Sequence, residues 1–384
     1  MSKNHHVLAF VNSLSAKLAT RSRHVGLFLG AGSSRACGLP DLSGLEDAIR
    51  AGLDATSLAQ FETQMVDRNL EQVLSRLRRI DSLLDGGSDV VDGVSATDAR
   101  HLDRKICSLI VKALVVREEG LGPVLQLGSW LARADYHLPV EVFTANYDLM
   151  LETALESLGV PYFDGFVGAL RARFRTDLVE AEAGMGDDSF PSFLVRLWKV
   201  HGSVHWEWTS ESKAEVVRLG GAVGGEAVAA IYPSDAKYDE SRRMPFVVLQ
   251  DRFRRSLRQP ETLMLISGYS FGDQHLNELI FDAARRHQRS EFVAFCFGDI
   301  PTELREAARN VPNLQALGRE SAIIAGLEAQ WDAPEEAPAD IWHDGGFALG
   351  DFACLSSYLA RSAPPQSEIE TLLADLLDRA KSDG

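Results

Sequence analysis

The stretch VGLFLGAGSSRACGLPDLSGLEDAI, residues 25–49, opens with a short apolar run that glycines bring to a stop. A continuous run of this kind reads as a strand buried on both faces. The glycines after it read as a turn that feeds a helix, an arrangement that brings backbone N–H groups close to a phosphate. The turn is not a P-loop, because no Gly-Lys-Ser or Gly-Lys-Thr succeeds the glycines. Nor is it the common dinucleotide fingerprint, since Arg35 stands where the third glycine belongs. Gly38, Pro40 and Asp41 extend the pattern and make it more specific than a plain strand-to-helix turn.

Buried-strand runs of the same kind recur at PVEVFTA (139–145), FLVRLWKV (193–200), ETLMLISG (261–268) and EFVAFCFG (291–298). Helical spacing marks residues 7–19, and helical patterns come after several runs, at 147–158, 273–287 and 301–309. Strands alternating with helices give an α/β fold with a doubly wound, parallel, Rossmann-like sheet. Residues 53–136 break the rhythm and read as helices over 58–84, 97–118 and 121–134 around the loop GGSDVVDGVS, a helical insertion between the first two core strands. A second insertion at about 169–192, containing EAEAGMGDDS, reads as mobile. A helix is expected over 319–330, then WDAPEEAPADIWHDGG as a linker, rich in Pro, Asp and Glu. The tail carries Ile369, Leu372, Leu373, Leu376 and Leu377 at spacings of three and four, one apolar stripe on a C-terminal helix. That stripe either packs on the chain's own core or meets a partner.

Composition narrows the function classes. The chain has 384 residues, 45% of them hydrophobic and 24% charged, the balance of a soluble globular protein. It holds no apolar run long enough to span a membrane, and MSKNHHVLAF lacks the apolar stretch of a secretory signal, so the cytoplasm is the expected compartment. The formal net charge of −16 argues against broad binding to nucleic acid. Arg252, Arg254, Arg255 and Arg258 are the local exception, and read as salt-bridged on a helix face. Cys37, Cys107, Cys296 and Cys354 form no C-x-x-C pair, which excludes a zinc ribbon and leaves no cluster for any metal.

Three further motifs lie where apolar runs give way to polar residues. In FTANYDLMLE (143–152), Asn146 or Asp148 has the chemistry of a helix cap and also stands where open α/β sheets bind ligands, beyond the carboxyl ends of strands. In WKVHGSVHW (198–206), His201 is either a packed histidine or a site residue. In LISGYSFGDQHLNELI (265–280), Asp273 reads as a helix cap first and a ligand second.

Taken in order, GAGSSRACGLPD, TANYD, VHGS and GYSFGD resemble the sirtuin family over about residues 25–285. The closest likeness is to the divergent sirtuin-like branch of bacterial antiphage defence systems. The resemblance implies a sirtuin-type NAD-binding domain over 1–330, with linker and tail over 331–384. It implies that Gly30, Ala31, Gly32 and Ser34 hold the NAD+ pyrophosphate and adjoining ribose, with Ser33, Pro40 and Asp41 also among the cofactor-binding residues. Thr144 and Asp148 fall beside the nicotinamide ribose and carboxamide, and Gly268, Ser270, Phe271 and Asp273 near the adenosine half. Asn146 and His201 match the catalytic pair. The sequence departs from the zinc-binding deacylases in lacking two cysteine pairs, and Leu42-Ser43 stands where many of them carry Phe-Arg. Both departures weaken the case for an acyl-lysine co-substrate. The implied activity is therefore an NAD+ hydrolase (NADase) that releases nicotinamide and ADP-ribose without a metal, with Asn146 holding a ribose hydroxyl or water and His201 taking a proton, at an ordinary histidine pKa. The alternatives are a non-catalytic NAD or ADP-ribose sensor and a deacylase or ADP-ribosyltransferase. A homo-oligomer and a partner in trans, first a HerA-type hexameric ATPase, are what the likeness suggests.

Overall fold

Apolar residues alternate along the core strands and divide the interior in two. Val25, Leu27 and Leu29 face one hydrophobic cluster together with Val142, Leu197, Leu263 and Leu265. Phe28, Phe143, Trp198, Met264 and Ile266 face a second cluster on the other side of the sheet. A sheet buried on both faces must be covered by helices on both faces, which is why these strands read as unbroken apolar runs. The computed structural model describes residues 4–84, 89–181, 191, 193–209, 215–223, 229–231, 244–362 and 367–382.

The principal sheet has ten strands, in the spatial order His5–His6, Leu327–Asp332, Ser321–Ile324, Leu314–Leu317, Glu291–Phe295, Leu263–Ser267, Val25–Leu29, Glu141–Thr144, Val195–Lys199 and Tyr162–Phe163. From Leu314–Leu317 to Tyr162–Phe163 every pairing is parallel. Val25–Leu29 lies between Glu141–Thr144 on one side and Leu263–Ser267 on the other. The chain builds one half of the sheet, then crosses back to build the other. That reversal is the topological switch point, where open α/β sheets place their ligands. The α/β, doubly wound, Rossmann-like architecture read from the sequence is the one observed.

Between the first two core strands the chain is helical, with helices Leu42–Gly52, Ala55–Met65, Leu70–Leu84, Ala96–Ala113 and Gly122–Arg133. The single helix expected over 58–84 is two, separated at Val66–Asn69, where Asp67 takes a positive φ of 56°. A five-stranded antiparallel sheet, built from Phe166–Val167, Arg171–Phe174, Gly202–Trp208, Val216–Leu219 and Ala229–Ile231, was not anticipated from the sequence. It replaces part of the second insertion expected at 169–192; most of EAEAGMGDDS lies outside the described residues.

The C-terminal part corrects two expectations. Residues 319–330 are not a helix but a hairpin, Ser321–Ile324 against Leu327–Asp332, turned at Ala325 and Gly326. Those two residues take φ of 53° and 79°, the left-handed pair that a tight two-residue hairpin needs. The segment 331–346 is not a free linker either. Trp331 donates from Nε1 to the Gly318 carbonyl at 2.9 Å and stacks on Phe347 with centroids 4.7 Å apart. Ile341, Phe347 and Leu349 are buried in the main core, and a further helix, Phe352–Ser362, inserts Leu355, Tyr358 and Leu359 there. Apolar residues scattered among Pro, Asp and Glu anchor the segment one at a time, without a periodic signal. The C-terminal helix, Ser367–Ser382, packs on Gly122–Arg133 and brings Leu373 and Leu376 against the core. The side chains of Ile369 and Leu372 lie outside the described residues.

Candidate functional site

A cleft of about 1360 Å³ opens at the carboxyl ends of the core strands, over the switch point. Its volume exceeds the few hundred to about 1,000 Å³ common for small-ligand sites, as a long ligand such as a dinucleotide requires. Gly30, Ala31, Gly32, Ser34, Pro40 and Asp41 line one part of it; Asn146, Asp148, His201, Gly268, Ser270 and Asp273 line another. Ser33, Thr144 and Phe271 belong to the same motifs but do not line the cleft. Ser33 Oγ donates to the Gly30 carbonyl at 2.7 Å and Thr144 Oγ1 to that of Leu29 at 2.9 Å, so both brace the wall from behind. Phe271 is buried against Tyr269 and Phe281.

The glycines of the turn are required by a neighbouring backbone. Gly268, at a φ of 65°, sits so close to the turn that a Cβ on it would lie 2.4 Å from the Ser33 nitrogen. A Cβ on Gly30 would meet the Gly268 carbonyl oxygen at 2.6 Å. The contact is also hydrogen-bonded: Gly30 N–H donates to Ser267 O at 3.0 Å, and Gly32 N–H to Gly268 O at 2.8 Å. These two amides therefore join the halves of the sheet, which revises the expectation that the turn's N–H groups as a set point at a phosphate. Ala31, exposed at the start of the short helix Ala31–Ala36, keeps its N–H without a protein partner among the described residues.

Asn146 does not cap the helix after it. Its Nδ2 donates to the Gly30 carbonyl at 2.9 Å, to Ser33 Oγ at 3.0 Å and to Ser34 Oγ at 2.8 Å. A carbonyl only accepts, so the amide orientation is fixed, and Oδ1 is left without a hydrogen bond among the described residues. Asp148 is not the cap either, that position being Leu149; its Oδ1 accepts from Met150 N at 3.0 Å and its Oδ2 from Ser34 Oγ at 2.5 Å. Behind it the buried Lys199 ammonium donates to the Asp148 carbonyl, to Glu152 Oε1 at 2.8 Å and to Ser203 Oγ at 3.0 Å. Ser203 Oγ continues the chain of contacts to His205 Nδ1 at 2.7 Å. Burial, with the nearby Lys199 and Arg218 charges, pushes the His205 pKa down to about 2, so that imidazole is neutral.

His201 stands at the turn between Val195–Lys199 and Gly202–Trp208, where Gly202 takes a φ of 95°. Its Nε2 lies 3.3 Å from Asp273 Oδ2, while Asp273 Oδ1 caps helix Gln274–Arg286 by accepting from His275 N and Leu276 N. Burial opposes the charged imidazole, but the hydrogen bond to Asp273 and the charges of Glu71 and Asp273 outweigh it, raising the His201 pKa above 6.5. Burial likewise opposes the Asp273 carboxylate, and His201 with two backbone amides overrides that and lowers it. The ordinary histidine pKa expected from the sequence is thus corrected upward.

Sequence reasoning missed the insertion's share of the cleft. Asn69, Glu71, Gln72 and Ser75 of helix Leu70–Leu84 and its cap line it, as do Tyr147 and Tyr269 from the core. No strand-end motif marks those helical residues. Lys199 and Tyr147 lay inside motifs already singled out, and a charged side chain in an otherwise apolar strand was the available signal for Lys199.

A doubly wound sheet with a glycine-rich turn, an asparagine and a histidine gathered over its switch point has the arrangement in which open α/β sheets bind ligands. More particularly, residues 140–317 match the family described as SIR2-like domain, which supports a sirtuin-like domain and, in general terms, NAD-dependent activity. The match starts at the strand that leads to Asn146 and ends with Leu314–Leu317; the glycine-rich turn lies outside it and joins it through the Gly30–Gly268 contact. No curated protein matches the chain. Among the described residues no helix is long and apolar enough to cross a membrane.

Proposed function

We propose that the chain is an NAD+ hydrolase that cleaves the nicotinamide–ribose bond to give nicotinamide and ADP-ribose. The observation that carries this reading is the placing of Asn146, with its Oδ1 unpartnered, and the His201–Asp273 pair around one dinucleotide-sized cleft. Nicotinamide leaves as a neutral molecule from a cationic substrate, so bond cleavage needs no general acid. The demand is to position the dinucleotide and to stabilise a sugar that becomes positive. Asn146 Oδ1 accepts from a ribose hydroxyl, and His201, backed by Asp273, takes that hydroxyl's proton as charge develops. A positioned base of this sort contributes about 10²–10⁴-fold.

Chromatography of NAD+ incubated with the purified chain, beside Asn146→Ala, tests the reading. Nicotinamide and ADP-ribose released by the wild type alone support it. Tight binding of intact NAD+ would instead favour a sensor, and turnover only with an added acyl-peptide or protein acceptor a transferase. On the family resemblance alone, we extend the proposal to an effector of antiphage defence that assembles with copies of itself and with a HerA-type ATPase. Co-purification with such an ATPase, absent from a control lacking it, tests that extension.

A further inference from the structure

We infer that Glu71, carried into the cleft by the helical insertion, is a further catalytic residue that receives the proton of the attacking water. The inference rests on the hydrolase reading above. Glu71 lies in the first turn of Leu70–Leu84, and that turn is pinned by a reciprocal pair: Gln72 N donates to Asn69 Oδ1 at 2.9 Å, and Asn69 N to Gln72 Oε1 at 3.1 Å. Tyr147, the neighbour of Asn146 in the chain, donates its hydroxyl to Glu71 Oε1 at 3.2 Å. Glu71, Asn146, Tyr147, His201 and Asp273 line one cleft, and the Glu71 charge is felt at both His201 and Tyr269. The insertion therefore sets a carboxylate into the cleft that Asn146 and His201 line, from an element the core strands do not supply.

Two carboxylates then serve two tasks. Asp273 is committed to His201 and to capping its own helix. His201, once it has taken the ribose hydroxyl's proton, has no nitrogen left to accept a second one from water. An ionised carboxylate only accepts hydrogen bonds, which suits it to orient water. In the step inferred, the C1′–N bond breaks with its electron pair leaving on nicotinamide. Water oxygen then bonds to C1′, and one water proton passes to Glu71 and on to solvent.

The test separates bond cleavage from water attack. Wild type and Glu71→Gln are compared for nicotinamide release from NAD+ and for exchange of labelled free nicotinamide into NAD+, with melting temperature and NAD+ affinity measured on both. Expected are a loss of hydrolysis of about 100-fold or more, exchange and affinity within a few-fold of wild type, and an unchanged melting temperature. The His201 imidazole, monitored by NMR titration, should also titrate at lower pH in Glu71→Gln. Hydrolysis by the variant within about threefold of wild type, or an equal loss of hydrolysis and exchange, overturns the role given to Glu71. A wild type that neither hydrolyses nor exchanges strikes the hydrolase reading itself.

Discussion

The two ends of the central sheet each bury a cluster of charges, and the clusters are built to opposite specifications. At the amino ends, Glu141 is 1% exposed and has both carboxylate oxygens occupied. Oε1 accepts from Trp198 Nε1 at 3.0 Å and Arg252 Nε at 2.7 Å; Oε2 lies 3.2 Å from His24 Nε2, and His24 Nδ1 meets Thr262 Oγ1 at 3.0 Å. It does not line the cleft at the other end of the sheet. At the carboxyl ends the network of Asn146, Asp148, Lys199, Glu152, His201 and Asp273 is left incomplete. Glu152 Oε2 is buried without a hydrogen bond among the described residues, Asn146 Oδ1 has none, and Asn146, Asp148, His201 and Asp273 border the cleft, with Lys199 and Glu152 held behind them. Burial of an unpaired polar group is costly, so a carboxylate with both oxygens paired reads as structural, and a network that stops short at a cavity reads as waiting for a ligand.

The largest effect that would sharpen this contrast falls at the open end. His201→Ala should reduce NAD+ turnover by about 10²–10⁴-fold and leave the melting temperature nearly unchanged. A normal rate with a lowered melting temperature would make His201 a packing residue and erase the distinction. At the closed end the reverse is expected. Glu141→Gln removes the buried counter-charge of Arg252 and Arg196, and removing one partner of a buried ion pair costs about 3–5 kcal/mol. Denaturant unfolding should show that loss, while the folded fraction keeps its affinity for NAD+. Burial on its own would raise the Glu141 pKa; the Arg252, His24 and Arg196 charges override it and hold the carboxyl well below the usual range. The stability it contributes is therefore present above the ordinary glutamate pKa and lost as pH falls toward the depressed one, a dependence that Glu141→Gln should remove.

The sequence spoke clearly where residues repeat a local rule. Short, mainly apolar runs located Val25–Leu29, Glu141–Thr144, Val195–Lys199, Leu263–Ser267 and Glu291–Phe295, because a strand buried on both faces is apolar over most of its length. Site residues placed just after those strands were legible for the same reason. Glu71 was not, since a glutamate on an amphipathic helix reads as solvated surface until a tertiary contact brings Tyr147 to it. The hairpin at 321–332 was misread because Ala322, Ile323, Leu327 and Trp331 also suit helical spacing; the Ala325–Gly326 turn decides between the two forms. Trp331 and Phe347 hold the supposed linker by a stacking contact that spacing along the chain does not reveal.

The smallest effect concerns how the open end is tuned. His201 faces Asp273 on one side and feels Glu71 from the insertion, and these two carboxylates raise its pKa against the pull of burial. If His201 must be neutral to take a proton, kcat/KM in the wild type rises with pH through an apparent pKa above 6.5, the ordinary histidine value. Asp273→Asn keeps an acceptor for the His275 and Leu276 amides but removes the charge beside the imidazole. Its acid limb should therefore move to lower pH, and a shift of one unit corresponds to about 1.4 kcal/mol of lost ion pairing. Below the wild-type limb the variant then gains relative to wild type; above it the loss of orientation dominates and the variant is slower. An acid limb that does not move in Asp273→Asn would mean that another group controls the profile, and the open cluster would lose its claim to be tuned by the pair.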